Sequence, residues 1–355
     1  MRMNCIDLFA GVGGMSLGFH DAGANVILAN EIDSEIATAY QKNFPDTRVV
    51  NDDITQLDLQ QTFSSLRGLA NVIIGGPPCQ GFSQKGQRKS INDPRNFLFR
   101  SFVNVVDTVR PEYFIMENVP NLLSAEGGLF RRELESLFSN LGYSISSGVL
   151  NASDFGVPQN RRRAIVLGKL GENAVPLPHS DASRVTIWEA ISDLAYLNSG
   201  EGSETSQYLY TAASPYQSRL REHSKILYNH SATRHSPTTL ERLRLIPPNG
   251  GRSNLPNEHL TKSIYSGTWT RMVKEEQSVT ITTRFDTPSS GKFTHPVLDR
   301  ALTVREAARL QSFPDVFRFY GKKSSQMKQV GNAVPPLLAQ ALANAIATDW
   351  KETHA

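Results

Sequence analysis

Val72-Ile73-Ile74-Gly75-Gly76-Pro77-Pro78-Cys79-Gln80-Gly81-Phe82-Ser83 begins as a short apolar run and ends in a cluster of turn residues. The run at 72–74 reads as a buried strand. Proline cannot continue a ladder and glycine permits an unusual turn, so the strand stops abruptly. Open α/β sheets keep their ligand crevices outside the carboxyl ends of their strands, and the turn leaves Cys79 there. A thiol at such a point is either a nucleophile or a small buried apolar residue.

Other apolar runs repeat the pattern. Segments 3–9, 26–30, 48–50, 71–74, 113–116, 146–150 and 164–167 read as strands. The first five alternate with helical patterns such as 15–22, 35–43, 57–69 and 97–109, which predicts a parallel sheet covered on both faces. No convincing helix separates the last two, so they are expected as an antiparallel pair at the sheet edge. After about residue 175 the alternation disappears, and 198–216 is rich in Ser, Gly and Thr. Thr186-Ile187-Trp188-Glu189 and Thr303-Val304-Arg305-Glu306 fit capping boxes that each open a helix; Pro314 ends the second. A final helix is expected from Pro335-Pro336 to about Trp350. The pattern predicts an α/β domain with a smaller, irregular second domain inserted before the closing helix.

Size and composition agree with this division. The chain has 355 residues, 39% of them apolar and 20% charged. No apolar stretch approaches the ~20 residues of a membrane span, and the amino terminus carries no signal-peptide pattern. Two cysteines far apart give neither a disulfide framework nor zinc spacing, so an intracellular protein without a metal is expected. The net charge of +3 hides an asymmetry. Residues 1–83 hold four Lys/Arg against nine Asp/Glu, whereas 219–300 hold thirteen against seven. The first suits a small cationic ligand and the second a polyanion, unless both are scattered solvated charge.

Asp7-Leu8-Phe9-Ala10-Gly11-Val12-Gly13-Gly14-Met15 joins the first strand to the first helix. Its glycines let the backbone approach a ligand at a helix amino terminus. Glu31 follows 18 residues after Gly13, where an acid can take two ribose hydroxyls. Asp53 follows the third strand, suitably placed for an adenine amino group. Ser16 stands where a dinucleotide fingerprint needs its third glycine, and no G-K-[ST] phosphate loop exists. A nucleoside such as S-adenosylmethionine fits this pattern better than NAD or ATP.

Tyr113-Phe114-Ile115-Met116-Glu117-Asn118-Val119-Pro120 repeats the strand-then-proline design, which predicts Glu117 on the same edge as Cys79. Capping of the following turn is the alternative role for Glu117. In Gln159-Asn160-Arg161-Arg162-Arg163, alternation predicts Arg161 and Arg163 on one face and Arg162 on the other. A thiol, a carboxyl and a guanidinium beside a methyl donor suit the methylation of cytosine C5. Thiolate attack at C6 makes C5 an enamine carbon. A carboxyl with a raised pKa at N3 eases that attack, and an arginine on O2 holds the ring.

These residues resemble the cytosine-C5 DNA methyltransferases of prokaryotic restriction-modification systems. Residues 7–19 are similar to that family's cofactor motif, Gly76-Pro77-Pro78-Cys79-Gln80 to its nucleophile motif and Glu117-Asn118-Val119 to its ENV motif. Gln159-x-Arg161-x-Arg163 resembles its Q-x-R-x-R motif. Arg300-x-Leu302-Thr303-Val304-Arg305-Glu306, continuing to Gln311-x-Phe313-Pro314, resembles its ninth motif, with Val304 where proline is frequent. Gln329-Val330-Gly331-Asn332-Ala333-Val334-Pro335 resembles its last. The motifs follow the family's order over nearly the whole chain.

The resemblance implies a Rossmann-like sheet that binds S-adenosylmethionine, with catalytic domain 1–175 plus 322–355 and target-recognition domain 176–321. It implies Cys79 as nucleophile, Glu117 at N3 and the amino group, and Arg163 at O2, with Arg161 positioning a loop or a phosphate. Phe9, Gly11, Gly13, Glu31, Ile32, Asp53, Pro78, Asn332 and Val334 fall at cofactor-contacting positions. Residues 83–96 resemble the mobile catalytic loop, where Ser83, Lys85, Arg88, Lys89 and Arg95 suit a phosphate backbone. Arg252 and Arg271, the latter ending the segment 265–271, are candidates for contacting DNA in the second domain. The implied activity acts on a cytosine flipped from double-stranded DNA by a cytoplasmic monomer, with a cognate restriction endonuclease as companion. Two alternatives are a tRNA cytosine-5 methyltransferase and a catalytically silent DNA-binding relative. The tripeptide Gly81-Phe82-Ser83, the absence of a third cysteine and the intact Cys79, Glu117 and Arg163 stand against them.

Overall fold

The computed structural model describes residues 2–78, 97–180, 182–261 and 267–354. The chain divides into two compact units. The first comprises Met1–Asn151, Arg162–Asp181 and Pro336–Ala355, and the second Ala152–Arg161 and Ala182–Pro335.

In the first unit, strands β1 (Asn4–Leu8), β2 (Asn25–Asn30), β3 (Arg48–Val50), β4 (Val72–Gly75), β5 (Tyr113–Asn118) and β6 (Tyr143–Asn151) share a sheet with β8 (Arg162–Leu170). The intervening two-residue β7 (Gln159–Asn160) belongs to the second unit. The sheet order is β3-β2-β1-β4-β5-β8-β6. Strands β1 to β5 are mutually parallel, so their carboxyl ends share one edge. β8 runs antiparallel to both β5 and β6. The expected antiparallel pair is present, with β8 inserted between β5 and β6. Insertion has a functional consequence, because a reversed strand brings its amino end to the edge where the parallel strands finish.

Helices α1 (Gly14–Asp21), α2 (Ser34–Asn43), α3 (Leu59–Phe63), α4 (Phe97–Val109), α5 (Asn121–Ser124) and α6 (Leu129–Asn140) connect these strands. The helix expected over 57–69 is shorter. Asp58 caps α3 by accepting from Gln61 N, and the chain then tightens into a 3-10 turn at Ser64–Leu66. Ile6, Leu8, Ile73, Phe102, Phe114 and Val166 belong to a core buried from water. Phe114 stacks on Phe138 at 4.0 Å. That apolar burial, at roughly 25 cal/mol per Å², is the main force holding helices to sheet.

The second unit contains α7 (Ile187–Ile191), β9 (Gly202–Ser206), α8 (Pro215–Arg221), β10 (Leu227–Ser231), α9 (Pro237–Leu245), β11 (Ser278–Val279), α10 (Val304–Leu310) and α11 (Lys323–Asn332). Both expected capping boxes form, opening α7 and α10. Every residue of α10 is buried, including Arg305, Glu306 and Arg309. Arg300 grips Glu306 through two bonds of 2.7 Å, and Arg309 bridges Asp193 at 2.5 Å and Asp315 at 2.7 Å. Arg305 donates to the carbonyls of Tyr228, Pro314 and Phe317.

The contact boundaries differ from the expected 1–175, 322–355 and 176–321. Segments 152–161 and 322–335 fall in the second unit. Gln159 Nε2 donates to Leu310 O and Gln311 Oε1, and the Gly331 backbone lies so close to Thr282 that a Cβ there would meet it at 2.5 Å. The closing helix α12 (Pro336–Thr353) belongs to the first unit and packs on α1, where Gly18 allows close approach to Ala339.

Candidate active site

The loop after β1 is held in a left-handed, open turn. Phe9 and Gly11 sit at φ 57° and 56°, and Gly13 at 94°. Left-handed backbone strains a phenylalanine, and such strain is commonly stored at functional turns. A Cβ on Gly11 would meet nothing within 4 Å, so that residue borders open space. A Cβ on Gly13 would come within 2.4 Å of Phe44 and 2.8 Å of Tyr40, so there the absent side chain is replaced by packed rings. The two glycines therefore differ in setting, one bordering open space and one facing α2.

Glu31 follows β2 and is fixed by backbone donors: Gly11 N at 2.9 Å and Asp33 N at 2.8 Å. Burial pushes its carboxyl above the ordinary range, partly opposed by those amides. Ile32 is 65% exposed, an unusual position for an aliphatic side chain and a suitable cover for a flat base. Asp53 uses Oδ1 to accept from Thr55 N and Oγ1. Together these residues fit a nucleoside with no pyrophosphate.

Sequence reasoning noted Ser16 only as a missing glycine. In the structure it is a hydrogen-bond junction, with its Oγ donating to Asp7 Oδ2 and standing 2.6 Å from Tyr40 OH. Asp7 and Tyr40 are also functional candidates that sequence reasoning missed. Asp7 is 1% exposed, and burial pushes its carboxyl up to about 7 against the pull of the Ser16 hydroxyl and amide. A polar residue on the inward face of β1 was the available signal.

At the other end of the edge, β5 delivers Glu117 and the amino end of β8 delivers Arg163. Their side chains form an ion pair, Arg163 Nε to Glu117 Oε1 at 2.6 Å. Leu150 opposes Arg163, and Asn118 opposes Ala164, so strand register brings the two groups together. The turn after β4 lies against the same acid, for a Cβ on Gly76 would stand 3.0 Å from Glu117 Oε2. Asn118 locks this arrangement by donating from Nδ2 to Pro77 O at 2.8 Å, while its Oδ1 accepts from Val119 N. Sequence reasoning assigned Asn118 no role. Pro78 is exposed at the end of the turn, and Cys79 follows it outside the described residues.

Other expected positions fall in the second unit or outside the described residues. Asn332 and Val334 belong to the second unit, the first exposed and the second buried. Arg161 also belongs there; it is 2% exposed and donates to the carbonyls of Ile281 and Gly331. Of the two roles expected for it, positioning a loop or a phosphate, these bonds fit the first: Arg161 fastens backbone segments of the second unit and makes no contact with Glu117 or Arg163 among its described bonds. Arg271 needs a correction. It is 5% exposed and donates to the carbonyls of Ile246, His295, Leu298 and Leu243, and it pairs with Asp299. A guanidinium spent in this way has no donor left for DNA. Arg252 is half-buried and donates to Thr261 O at 3.0 Å. Ser83, Lys85, Arg88, Lys89, Arg95 and Tyr265 lie outside the described residues.

Known proteins resemble this chain over most of its length. Residues 3–348 match the model of the family described as C-5 cytosine-specific DNA methylase. The chain is 40% identical to the type II methyltransferase M1.HphI of Haemophilus parahaemolyticus, over 98% of this chain and 87% of that one. It is 38% identical to the type II methyltransferase M.DdeI of Desulfomicrobium norvegicum, over 97% and 88%. A solved Escherichia coli prophage protein described as a DNA modification methyltransferase superposes with a TM-score of 0.76 at 27% identity, covering 99% of this chain and all of that one. The chain belongs to the C-5 cytosine-specific DNA methylase family.

Proposed function

We propose that this DNA cytosine-5 methyltransferase works through a covalent adduct at Cys79, with Glu117 and Arg163 holding the base. The observation that carries the reading is the Glu117–Arg163 ion pair at the carboxyl edge, against the turn that leads to Cys79. A flipped cytosine presents N3 and its amino group to Glu117 and O2 to Arg163. This arrangement draws electron density from the ring as the Cys79 thiolate adds to C6. C5 then has enamine character and takes the donor's methyl group, and loss of the C5 proton with departure of the Cys79 thiolate restores aromaticity. Asn118 donates to the Pro77 carbonyl, which ties the turn after β4 to the strand that carries Glu117.

S-adenosylmethionine is the methyl donor that family membership implies, and it supplies an electrophilic methyl group on a sulfonium. Gly11, Glu31, Ile32 and Asp53 are the residues that would hold its nucleoside, with S-adenosylhomocysteine as product and no metal required. Phe9 and Gly13 belong to the turn after β1, and Pro78 to the turn after β4. The second unit is read as the target-recognition domain, and the type II relatives suggest a companion endonuclease that cuts the same DNA sequence. Among the described residues no helix is long and apolar enough to cross a membrane.

Replacing Cys79 by Ser is expected to abolish both methyl transfer and covalent trapping by duplex DNA containing 5-fluorocytosine. Undiminished transfer in that variant would overturn the mechanism. Mapping 5-methylcytosine in plasmid DNA from a host expressing the chain reads the target sequence directly.

A further inference from the structure

Asp7 is a buried acid at the cofactor turn that the chemistry above does not use. It lies two residues before the strained Phe9, and its partner Ser16 sits on the first turn of α1, just beyond Gly13. Tyr40, which completes the hydrogen-bonded chain, is one of the two rings that pack on Gly13. The titratable and polar groups that face Asp7 are Cys5 on β1, Ser16 on α1, Tyr40 on α2 and Glu31 after β2. None of them is cationic.

Elsewhere the protein treats buried carboxylates differently. Glu306 and Asp315 each meet at least one arginine. An acid kept in the interior without a cation pays a desolvation penalty that structure alone does not require. A ligand that brings its own positive charge would relieve it. S-adenosylmethionine carries a sulfonium, whereas S-adenosylhomocysteine differs from it only in lacking that methyl group and its charge. In a low-dielectric site, a charge of this kind acts across several ångströms.

We propose that Asp7 couples cofactor binding to the release of a proton to solvent, so that the turn favours the sulfonium-bearing methyl donor over the neutral thioether product. The inference rests on the reading of this turn as the S-adenosylmethionine site. Asp7 is a positioning and charge-compensating residue here, without contact to the reacting atoms. Burial, as the largest influence, places its titration near neutrality in the free protein. A bound cation lowers it, so affinity for the donor is fully present above about pH 7 and falls as the pH drops below that value.

The test is calorimetric titration of the whole chain with S-adenosylmethionine and, separately, S-adenosylhomocysteine between pH 6 and pH 8. Two buffers of different ionisation heat are used, so that released protons are counted. The ratio of the two affinities cancels titrations that both ligands share. It is expected to fall about fivefold from pH 8 to pH 6 if the ligand lowers the acid by one unit. Asp7→Asn should make the ratio independent of pH. Ser16→Ala removes a donor to the carboxylate and should move the midpoint to higher pH, which keeps the proposal testable if Asp7→Asn does not fold. A ratio that is flat in the unmodified protein, a slope that persists in Asp7→Asn, or a midpoint unmoved in Ser16→Ala overturns the proposal. Failure of both ligands to bind at any pH would instead overturn the cofactor reading itself.

Discussion

In the second unit Glu306 and Asp315 are buried against Arg300, Arg305 and Arg309, whereas in the first Asp7 and Glu31 are buried against hydroxyls and backbone amides. Burial pushes all four carboxyls up. For Glu306 the charge and hydrogen bonds of Arg300 outweigh it, and for Asp315 those of Arg309 do, so both are held below the ordinary range. Among the described residues no such cation acts on Asp7 or Glu31, and both stay raised. The contrast separates two uses of a buried charge. Paired acids brace an irregular domain that lacks a large sheet, while the acids without a cation are those of the proposed cofactor turn.

Breaking the paired set should have the largest effect on stability. Arg309→Met leaves Asp193 and Asp315 buried without their shared cation, and the expected loss is ~3–5 kcal/mol in urea unfolding. A loss below ~1 kcal/mol would show that the network is not a brace. Glu117 is an intermediate case, paired with Arg163 yet partly open to solvent. Glu117→Gln should slow turnover by ~10²-fold or more, in the range of general acid–base groups, and leave S-adenosylmethionine affinity intact. Equal losses in rate and cofactor affinity would assign Glu117 a structural role.

Smaller effects sharpen the other side of the comparison. Gly13→Ala forces a methyl group into Phe44 and Tyr40 and should destabilise by ~1–3 kcal/mol, measured by thermal unfolding. Gly11→Ala meets only open space, so its cost should be confined to the left-handed strain of ~1 kcal/mol, with a disproportionate loss of cofactor binding. Equal unfolding shifts would erase the distinction between the two glycines. The smallest effect is on the pH profile of stability. A raised acid such as Asp7 contributes stability that is present below about pH 4 and lost as the pH rises towards 7. Glu306 and Asp315, being lowered, contribute above about pH 4 and lose that contribution as the pH falls. Asp7→Asn should therefore flatten the profile between pH 4 and 7 and leave the acid limb unchanged. Urea midpoints across that range would show it.

Much of the fold could be read locally. Apolar runs such as 72–74 and 113–116, each followed within a few residues by proline, identified two neighbouring parallel strands whose ends share an edge. Thr186 and Thr303, each with a glutamate three residues on, opened helices as expected. The same local logic misjudged arginines. Period-two alternation put Arg161 on the face of Arg163, but β8 begins at Arg162 and Arg161 is tied to carbonyls 120 and 170 residues away. Arg271 looked suited to DNA because it sits in a basic stretch, yet its partners come from the end of α9 and from 295–299.

Sequence by itself determined the parallel sheet, the edge carrying the turn before Cys79, the glycine turn and the positions of Glu31, Glu117 and Arg163. Those depend on periodicity, turn chemistry and motif spacing, which act over a few residues. Tertiary structure decided the insertion of β8 beside β5, the Glu117–Arg163 pairing, the Asn118 lock on Pro77 and the burial of Arg161 and Arg271. It also decided that Asp7 meets Ser16 and Tyr40 with no cation among the groups that face it. A side chain's partner depends on which distant segment packs against it, and desolvation acts only once that packing has removed water.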